Sequence, residues 1–328
     1  MKQAVYILLI SIGIFSCTKK ENGPASAMDD VSNRLNFIID DNKFNFSFFN
    51  AGLSRTAYRI DLAQKGPYTV LVPDNNAFVA AGYSNEQAVL TLGGDFLNNM
   101  IPYHISYGLW ELNKLPFTFN QEIESVTGAK MYVTRWVKNT DTLVTINGTK
   151  VKSYNLEASN GLIQVINAVL QPLVYPTLSQ AIASDKDLTY LSVALQRSGL
   201  QAAVASADSV FTVFAPTNAA FIAAGYATIQ DINNADPAAL RETLAYNMFK
   251  GRKFIYDYVL TTDDTDKNQQ AMYSGNNVNI SLVRSGVDYS GITIKGIGNT
   301  GSGNIVRPNV LAGNGVMHMT DLLLKETL

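Results

Sequence analysis

The feature that most constrains the fold of this chain is an internal repeat. Residues 68–83 read YTVLVPDNNAFVAAGY and residues 211–226 read FTVFAPTNAAFIAAGY, so ten of the sixteen positions are identical at a constant offset of 143. Solenoid repeats have periods of about 20–50 residues, whereas a period this long has the size of a whole domain. The sequence therefore predicts two tandem copies of one domain.

Each copy of the repeat has the pattern of a strand, a turn and a short helix. The β-rich run ends at a proline, which cannot donate a hydrogen bond from inside a sheet. Asn75 or Asn218 follows and is predicted to cap the helix, which Gly82 or Gly225 then ends. None of these residue types is chemically reactive, so the repeat is interpreted as a structural signature.

These motifs resemble those of the fasciclin domain. The stretch FTVFAPTNAAF closely resembles the first signature of the family, and YTVLVPDNNAF is a more divergent copy. Residues 157–172 (EASNGLIQVINAVLQP) and 311–325 (LAGNGVMHMTDLLLK) resemble the second signature. The resemblance runs from about residue 30 to the end. It implies an α+β fold of two tandem fasciclin-like domains, each a β-wedge or small sandwich with several short helices.

The histidines of the family are each present in only one copy. The Tyr-His pair of the family reads Tyr-His at 103–104 but Tyr-Asn at 246–247, and His318 of the second signature is matched by Gln164. Neither copy has both histidines, which argues against a catalytic or metal-binding pair. His104 and His318 stand among apolar residues. They are either hydrogen-bonded within the fold or pH-sensitive contacts, since histidine titrates near neutral pH.

The N-terminus has the pattern of a bacterial lipoprotein signal. A positive start precedes an apolar run over residues 4–15, which is too short to span a membrane. Cys17 is the only cysteine, so it has no intrachain disulfide partner. Its position resembles a lipobox, which makes Cys17 the predicted lipidation site, and the alternative is an ordinary signal with an incidental cysteine. Acylation would anchor the chain in a membrane.

The resulting domain plan has four parts. Residues 1–16 are the predicted signal peptide and 17–29 a flexible, lipid-anchored tether; residues 30–173 and 174–328 are the two fasciclin domains. The boundary falls where Pro172 and Pro176 bracket a short linker. This plan predicts an outer-membrane lipoprotein of the cell envelope, either exposed at the surface or facing the periplasm.

Composition and charge limit the classes of partner that the chain is expected to bind. Hydrophobic residues make up 47% of the chain and charged residues 16%, which is enough apolar content for two cores. The net charge is −2 and there is no basic run, so no nucleic-acid partner is expected.

Several apparent site motifs fail on inspection. Residues 296–301 match G-x-G-x-x-G but precede more Gly, Asn and Pro instead of a helix, so a turn between strands is predicted. Asp263–Asp266 lacks the glycine and glutamate of an EF-hand, and a solvated charged loop or weak calcium binding stay open. No zinc-binding spacing and no nucleophile with a nearby histidine are present. We therefore predict no catalytic residues, no metal and no cofactor.

The two copies diverge between their signatures. The offset grows from 143 to 154 there, so the second copy carries a net insertion of eleven residues. Loops that differ on a shared scaffold are where partner contacts usually lie. Trp110 and Trp136 are either platforms for stacking a glycan or core and edge-strand residues. The candidate partner-binding residues are Tyr103, His104, Trp110, Trp136, Tyr246 and His318.

Local patterns indicate further elements. Runs rich in β-branched and aromatic residues predict strands, and apolar periodicity predicts helices. The predicted strands are 130–137, 142–146, 278–282 and 291–295, and the clearest predicted helices are 187–198 and 238–249.

Two functional hypotheses follow from these observations. The first, implied by the resemblance, is a non-enzymatic, lipid-anchored binding or adhesion protein of the cell envelope that holds a protein or polymer partner. The alternative is an accessory surface lipoprotein of an outer-membrane TonB-dependent complex that takes up glycan or peptide. Co-purification with an outer-membrane transporter would distinguish the second from the first.

Overall fold

The protein is described from a computed structural model, which covers residues 30–286 and 288–327. The predicted signal peptide, Cys17 and the tether lie outside these residues. Within the described ranges the chain forms two seven-stranded sheets, each accompanied by short helices. The predicted α+β fold of two tandem domains is confirmed. The predicted boundary after residue 173 falls between the two sheets and stays a prediction.

The first domain contains six α-helices and seven strands among the described residues. Its helices are α1 (Leu35–Asp41), α2 (Lys43–Ser54), α3 (Tyr58–Asp61), α4 (Asn75–Ala80), α5 (Glu86–Leu90) and α6 (Gly94–Tyr103), with 3-10 turns at Val31–Asn33 and Leu112–Lys114. Its strands are β1 (Tyr68–Pro73), β2 (Ile105–Tyr107), β3 (Thr118–Glu124), β4 (Lys130–Lys138), β5 (Asp141–Ile146), β6 (Thr149–Ala158) and β7 (Gly161–Ile166).

The second domain repeats this order with one more helix. Its helices are α7 (Leu178–Ala183), α8 (Thr189–Arg197), α9 (Gln201–Ala205), α10 (Asn218–Ala223), α11 (Ile229–Asn234), α12 (Pro237–Ala245) and α13 (Ile255–Thr261), with a 3-10 turn at Lys186–Leu188. Its strands are β8 (Phe211–Pro216), β9 (Met248–Lys250), β10 (Lys267–Ala271), β11 (Asn277–Ser285), β12 (Asp288–Lys295), β13 (Gly303–Ala312) and β14 (Gly315–Thr320).

The two sheets have the same strand order. The first runs β2-β1-β7-β6-β5-β4-β3 and the second β9-β8-β14-β13-β12-β11-β10. In each, the strands of the two signature motifs pair side by side in parallel, with Tyr68 opposite Gly161 and Phe211 opposite Gly315. The other described strand pairs within the two sheets are antiparallel. The two signatures recur together because they form one central unit of the sheet.

Each central strand is buried on both faces. In β8, Val213 and Ala215 pack into a core formed with the helices that precede and follow the strand, whereas Phe214 points into a second core formed by the rest of the sheet and α13. Successive side chains of a strand point to opposite faces, so a largely apolar run fits this position. The pattern predicted only a strand, and the double-sided burial explains why every residue of β8 except Thr212 is apolar.

The Asn-Gly pair of the second signature has the same role in both domains. Asn160 accepts a hydrogen bond from the Leu35 N–H at 2.9 Å and donates to the carbonyls of residues 62 and 64. Asn314 makes the equivalent three bonds to α7 and to the end of α9. At Gly161 a Cβ atom would lie 2.2 Å from the Tyr68 carbonyl oxygen, so only glycine permits this strand approach.

The repeated asparagine does not cap the helix, so that prediction is wrong. The caps are Asp74 and Thr217, one residue earlier. The Asn75 side chain instead accepts from the Phe48 N–H and donates to the Phe44 carbonyl, and Asn218 makes the matching pair of bonds to Tyr190 and residue 186. The amide therefore joins two backbone groups four residues apart in a neighbouring segment.

Other predictions have mixed outcomes. The four predicted strands are confirmed, and Gly82 and Gly225 follow their helices with φ of 95° and 107°. The predicted helix 238–249 is wrong at its end, because α12 stops at Ala245 and a strand begins at Met248. Residues 296–301 connect β12 to β13 without a helix, as the turn interpretation predicted. None of the described helices is long and apolar enough to span a membrane.

Candidate functional site

His104 holds two backbone groups together inside the first domain. It follows α6 and has no accessible surface. Its Nδ1 lies 2.8 Å from the Met100 carbonyl oxygen, and its Nε2 accepts a hydrogen bond from the Leu170 N–H at 3.0 Å. The Leu170 N–H can only donate, so Nε2 is unprotonated and Nδ1 carries the proton. The neutral imidazole joins α6 to the chain that follows β7.

Asn247 makes the same connections in the second domain. Its Nδ2 donates to the Thr243 carbonyl at 2.8 Å and to the Leu324 carbonyl at 3.1 Å, and its Oδ1 accepts from the Leu324 N–H at 3.1 Å. Leu324 stands where Leu170 stands in the first domain, at the offset of 154. An amide thus replaces the imidazole and keeps one donor and one acceptor in place.

His318 and Gln164 form a second matched pair. His318 accepts from the Asn309 N–H through Nδ1 at 3.0 Å and donates from Nε2 to the Lys253 carbonyl at 2.9 Å. Gln164 accepts from the Asn155 N–H at 3.0 Å and donates to the Trp110 carbonyl at 2.8 Å. The partner positions correspond at the two offsets. The histidine that each copy lacks is therefore replaced, with its hydrogen bonds retained.

Both histidines are held neutral. Burial lowers the pKa of His104 to about 4, and the bond to the Met100 carbonyl offsets only part of this. Burial likewise lowers the pKa of His318 to about 4 against the opposing bond to Lys253. A proton on the second nitrogen would remove the acceptor that each backbone N–H needs. The two rings therefore serve as fixed hydrogen-bonding groups at neutral pH.

Tyr103 and Tyr246, which occupy equivalent positions in the two copies, are also internal. The Tyr103 hydroxyl donates to the Lys130 carbonyl and accepts from the Asn147 side chain, both at 2.9 Å. The Tyr246 hydroxyl donates to the Asn277 carbonyl at 2.7 Å and accepts from the Ile297 N–H at 3.1 Å. Each phenol fixes the start of the corresponding strand, β4 or β11.

Four of the six candidate partner-binding residues are buried. At most 1% of the surface of Tyr103, His104, Tyr246 and His318 is exposed. A side chain without accessible surface cannot contact a partner, so the prediction of direct contact is wrong for these four. The sequence carried a signal for this, because each stands among apolar residues; the interpretation as histidines bonded within the fold fits the geometry.

The two tryptophans occupy different surroundings. Trp110 is half-buried against a core cluster, and its indole N–H donates to the Tyr107 carbonyl at 3.0 Å. Trp136 is half-buried on β4, where its ring lies 4.7 Å from that of Phe119. Nearby on the surface, Phe117 is 50% exposed under the guanidinium of Arg135. The structure does not bring the six candidates together into one site.

The insertion of the second copy builds a contact between the domains. Ten residues separate β2 from β3, but sixteen separate β9 from β10. The longer segment contains α13, whereas the equivalent place in the first domain has only the 3-10 turn Leu112–Lys114. Helix α13 packs on β4 of the first domain. This longer segment of the second copy thus contacts the first copy.

Strand β4 uses its two faces differently. Met131 and Val133 point into the core of the first domain. On the opposite face, Tyr132 contributes to a buried cluster with Phe254, Leu311 and Val316 of the second domain. The Tyr132 and Phe254 rings lie 6.3 Å apart, and the Arg252 guanidinium lies 3.8 Å from the centroid of the Tyr132 ring. An apolar core therefore crosses the domain boundary.

Buried polar bonds cross the same boundary. The Thr134 hydroxyl donates to Asp257 Oδ1 at 3.1 Å, and Asn120 donates to the Arg252 carbonyl at 2.7 Å. The Lys138 ammonium donates to the Thr262 carbonyl at the end of α13. Asp257 is fully buried, and burial raises its pKa to about 6 against bonds from the Phe254 N–H and Thr134. These groups fix the register of α13 on β4.

Sequence reasoning did not find these interface residues. Their signals were the insertion between β9 and β10 and a β4 run with large residues at both odd and even positions. A strand that is buried on both faces needs a second partner beyond its own core. What the sequence could not specify is that this partner is the other domain.

The described residues hold no cluster of side chains that could bind a metal ion. No group of three or more His, Cys, Asp and Glu side chains lies close enough to bind a metal within these residues. In the acidic loop, Asp266 pairs with Arg284 and accepts from the Tyr289 hydroxyl at 3.1 Å, while Asp263 accepts from Thr265. Asp263 and Asp266 therefore bond to groups of the protein. Weak calcium binding by this loop stays a prediction.

Comparison with known proteins establishes the family. The model of the fasciclin domain matches residues 44–172 and 186–326, which is most of the chain. The chain therefore belongs to the fasciclin domain family, and the predicted resemblance is confirmed. Fasciclin domains are cell-adhesion and binding modules.

Curated relatives match over parts of their length. The chain is 30% identical over 147 residues to transforming growth factor-beta-induced protein ig-h3 of Sus scrofa, covering 42% of this chain and 19% of the relative. It is 27% identical to human periostin over 131 residues, covering 40% and 15%. Protein sll1483 of Synechocystis is 31% identical over 112 residues, covering 34% and 58%. The chain thus spans less than two thirds of the length of each of these relatives.

One solved structure also matches this chain. A FAS1 domain pair from the insect cell adhesion molecule Fasciclin I matches with a TM-score of 0.43 and 18% identity, covering 85% of this chain and 96% of that one.

Proposed function

We propose that this chain is a non-enzymatic, lipid-anchored binding or adhesion protein of the cell envelope, whose paired fasciclin domains hold a protein or polymer partner. The observation that carries this proposal is the state of the two histidines. The chain has two histidines in total, and both are buried with both ring nitrogens bonded to backbone groups. Neither is available as a general base, a nucleophile's partner or a metal ligand.

The surface near β4 supports a binding role. Phe117, just before β3, is 50% exposed, and the half-buried Trp136 on β4 pairs with Phe119. Aromatic residues of this kind are enriched at protein interfaces and present flat faces to sugars. Of the six candidate residues, Trp136 is therefore the one that we expect to contact a partner. Trp110 instead packs against the core of its own domain and donates its indole N–H to the Tyr107 carbonyl.

The anchor is tested by metabolic labelling. In cells given labelled palmitate, the parent protein is expected to incorporate label and to fractionate with membranes, because acyl chains bury many methylene groups. Cys17→Ala should abolish both, and Ser26→Ala in the same predicted tether is the matched control. Label that persists after Cys17→Ala, or label absent from the parent protein, would show that the anchor is wrong.

The binding role is tested separately by cross-linking. A photoreactive amino acid at position 117 in intact cells should give covalent adducts with an envelope protein or polymer, and Trp136→Ala should reduce them several-fold. An adduct with an outer-membrane transporter would favour the nutrient-uptake alternative. Adducts that are absent, or unchanged by Trp136→Ala, would contradict a partner surface at β4.

A further inference from the structure

A cleft lies between the two domains on one side of α13. Its volume is 410 Å³. The β5–β6 turn of the first domain forms one wall, and α13, β12 and β13 of the second domain form the others. Ligand sites in proteins commonly have volumes of about 300–1,000 Å³ and lie preferentially between domains. The cleft therefore has the size and the position of a small-ligand site.

Apolar and aromatic side chains line part of the cleft. Ile255, Val259 and Ile292 are buried there, with exposures of 7%, 1% and 3%. Tyr256 and Tyr289 line it from a half-buried position. Such surfaces accept the C–H faces of a ligand, and phenol rings add flat stacking area.

Uncharged hydrogen-bonding groups line the rest. Thr149 and Asn167 come from the first domain, and Asn309 comes from the second. Within the described chain, the side chains of Thr149 and Asn167 make no hydrogen bond, and the Asn309 amide uses only its oxygen, which accepts from the Ile255 N–H at 3.0 Å. Hydroxyl and amide groups without protein partners can bond to the hydroxyl groups of a ligand.

The charges at the rim neutralise each other. Lys150 of the first domain pairs with Asp288 of the second at 3.0 Å, and Asp288 also accepts from the Tyr256 hydroxyl at 3.2 Å. Burial would raise the pKa of Asp288, but the Tyr289 N–H and the Lys150 ammonium outweigh it and lower that pKa. A balanced pair gives no net attraction for an anionic or cationic ligand. The lining favours a neutral, polar ligand with an apolar face.

We propose that this interdomain cleft binds a neutral, hydroxyl-rich ligand, namely a sugar residue of an uncharged glycan. The inference deepens the proposed binding function and rests on it. Sugar rings combine C–H faces with many hydroxyl groups, which matches the two tyrosines beside Thr149, Asn167 and Asn309. Because α13 has no counterpart helix in the first domain, the site belongs to the pair and to neither domain alone.

The test uses the full chain and a set of named probes. Saturation-transfer NMR would be measured with cellotriose, maltotriose, xylotriose, mannotriose and chitotriose at millimolar concentration. At least one should receive saturation from the protein. Tyr256→Ala should weaken that binding at least tenfold, since it removes a ring from the cleft wall. Tyr107→Ala is the matched control, because Tyr107 is 64% exposed on β2, an edge strand several strands from β5 and β6.

A second variant protects the test against misfolding. Ser290→Trp places a bulky side chain at an exposed position of the cleft wall and should block binding while leaving thermal unfolding unchanged. If none of the five saccharides binds, or if binding survives both Tyr256→Ala and Ser290→Trp, the cleft proposal is overturned. Cross-linking to an envelope partner at position 117 would then still support the proposed function, so the two failures are distinguishable.

Discussion

Replacing His318 by glutamine is expected to preserve the fold at neutral pH, whereas replacing it by alanine is expected to destabilise the protein by about 3 kcal/mol. Alanine leaves the Asn309 N–H and the Lys253 carbonyl without partners inside the protein. Each buried unpaired group costs about 1–3 kcal/mol. Glutamine supplies the donor and acceptor that Gln164 supplies in the first domain. His104→Asn, which copies Asn247, is the matching replacement in the first domain.

The same variants should change how stability depends on pH. Both histidines have a pKa of about 4 in the folded protein, compared with the ordinary value of 6.5 in the unfolded chain. Between these values the unfolded chain binds protons that the folded chain does not, so the free energy of unfolding falls as the pH decreases from 6.5 to 4. The loss is on the order of 3 kcal/mol for each histidine.

Asp257 changes the free energy of unfolding in the opposite direction over nearly the same range of pH. Its folded pKa of about 6 exceeds the ordinary value of 3.8, so the folded state binds its proton first as the pH falls. Urea unfolding at several pH values, compared between parent and variant, cancels this shared contribution. His318→Gln and His104→Asn should each reduce the decrease in the free energy of unfolding between pH 6.5 and 4 by the contribution of one histidine. An unchanged pH profile, or a glutamine variant as unstable as the alanine variant at pH 7, would contradict the hydrogen-bonding role.

Phe254→Ala is expected to destabilise the protein by about 3–5 kcal/mol, the usual cost of emptying a buried phenylalanine site. Phe254 is 1% exposed and packs against Tyr132 of the other domain. The loss should appear in calorimetry as two separate unfolding transitions, because the core shared by the domains is removed. Phe44→Ala is the control, since Phe44 is 91% exposed and should change stability by less than about 0.5 kcal/mol.

Thr134→Val gives an independent measure of the same interface. It keeps the shape of the side chain but removes the hydroxyl that donates to the buried Asp257. The expected cost is about 1–2 kcal/mol, as for a buried acceptor that loses one partner. If Phe254→Ala and Thr134→Val both melt in the same single transition as the parent protein, the interface does not couple the domains.

Much of the fold could be predicted because the repeat is a direct signal. The offset of 143 located two domains, and the β-rich runs that end at a proline located β1 and β8. The cap prediction failed at Asn75 because Asp74, one residue earlier, is an equally good cap by residue type. Because Asn75 bonds to the Phe48 N–H and the Phe44 carbonyl of α2, it is Asp74 that caps α4. These contacts are distant in sequence and cannot be read from the local pattern.

The candidate site was harder to predict for a physical reason. Tyrosine, histidine and tryptophan serve equally well as buried hydrogen-bonding residues and as exposed contact residues. Burial distinguishes these roles, and burial depends on contacts far apart in sequence, such as those between Leu170 and His104 or Lys253 and His318. The insertion was visible in the sequence, but its docking on β4 was not, because nothing local specifies the partner of an added helix.

The central claim is that the two domains act as one rigid binding unit through α13. The most direct measurement is the distance between spin labels on cysteines introduced at Gln87 and Gln230, two exposed positions in different domains, in a Cys17→Ala background. A rigid pair predicts one narrow distance distribution, which Phe254→Ala should broaden. A broad distribution in the parent protein would mean that the domains move independently, and neither the interface nor the shared cleft would then hold.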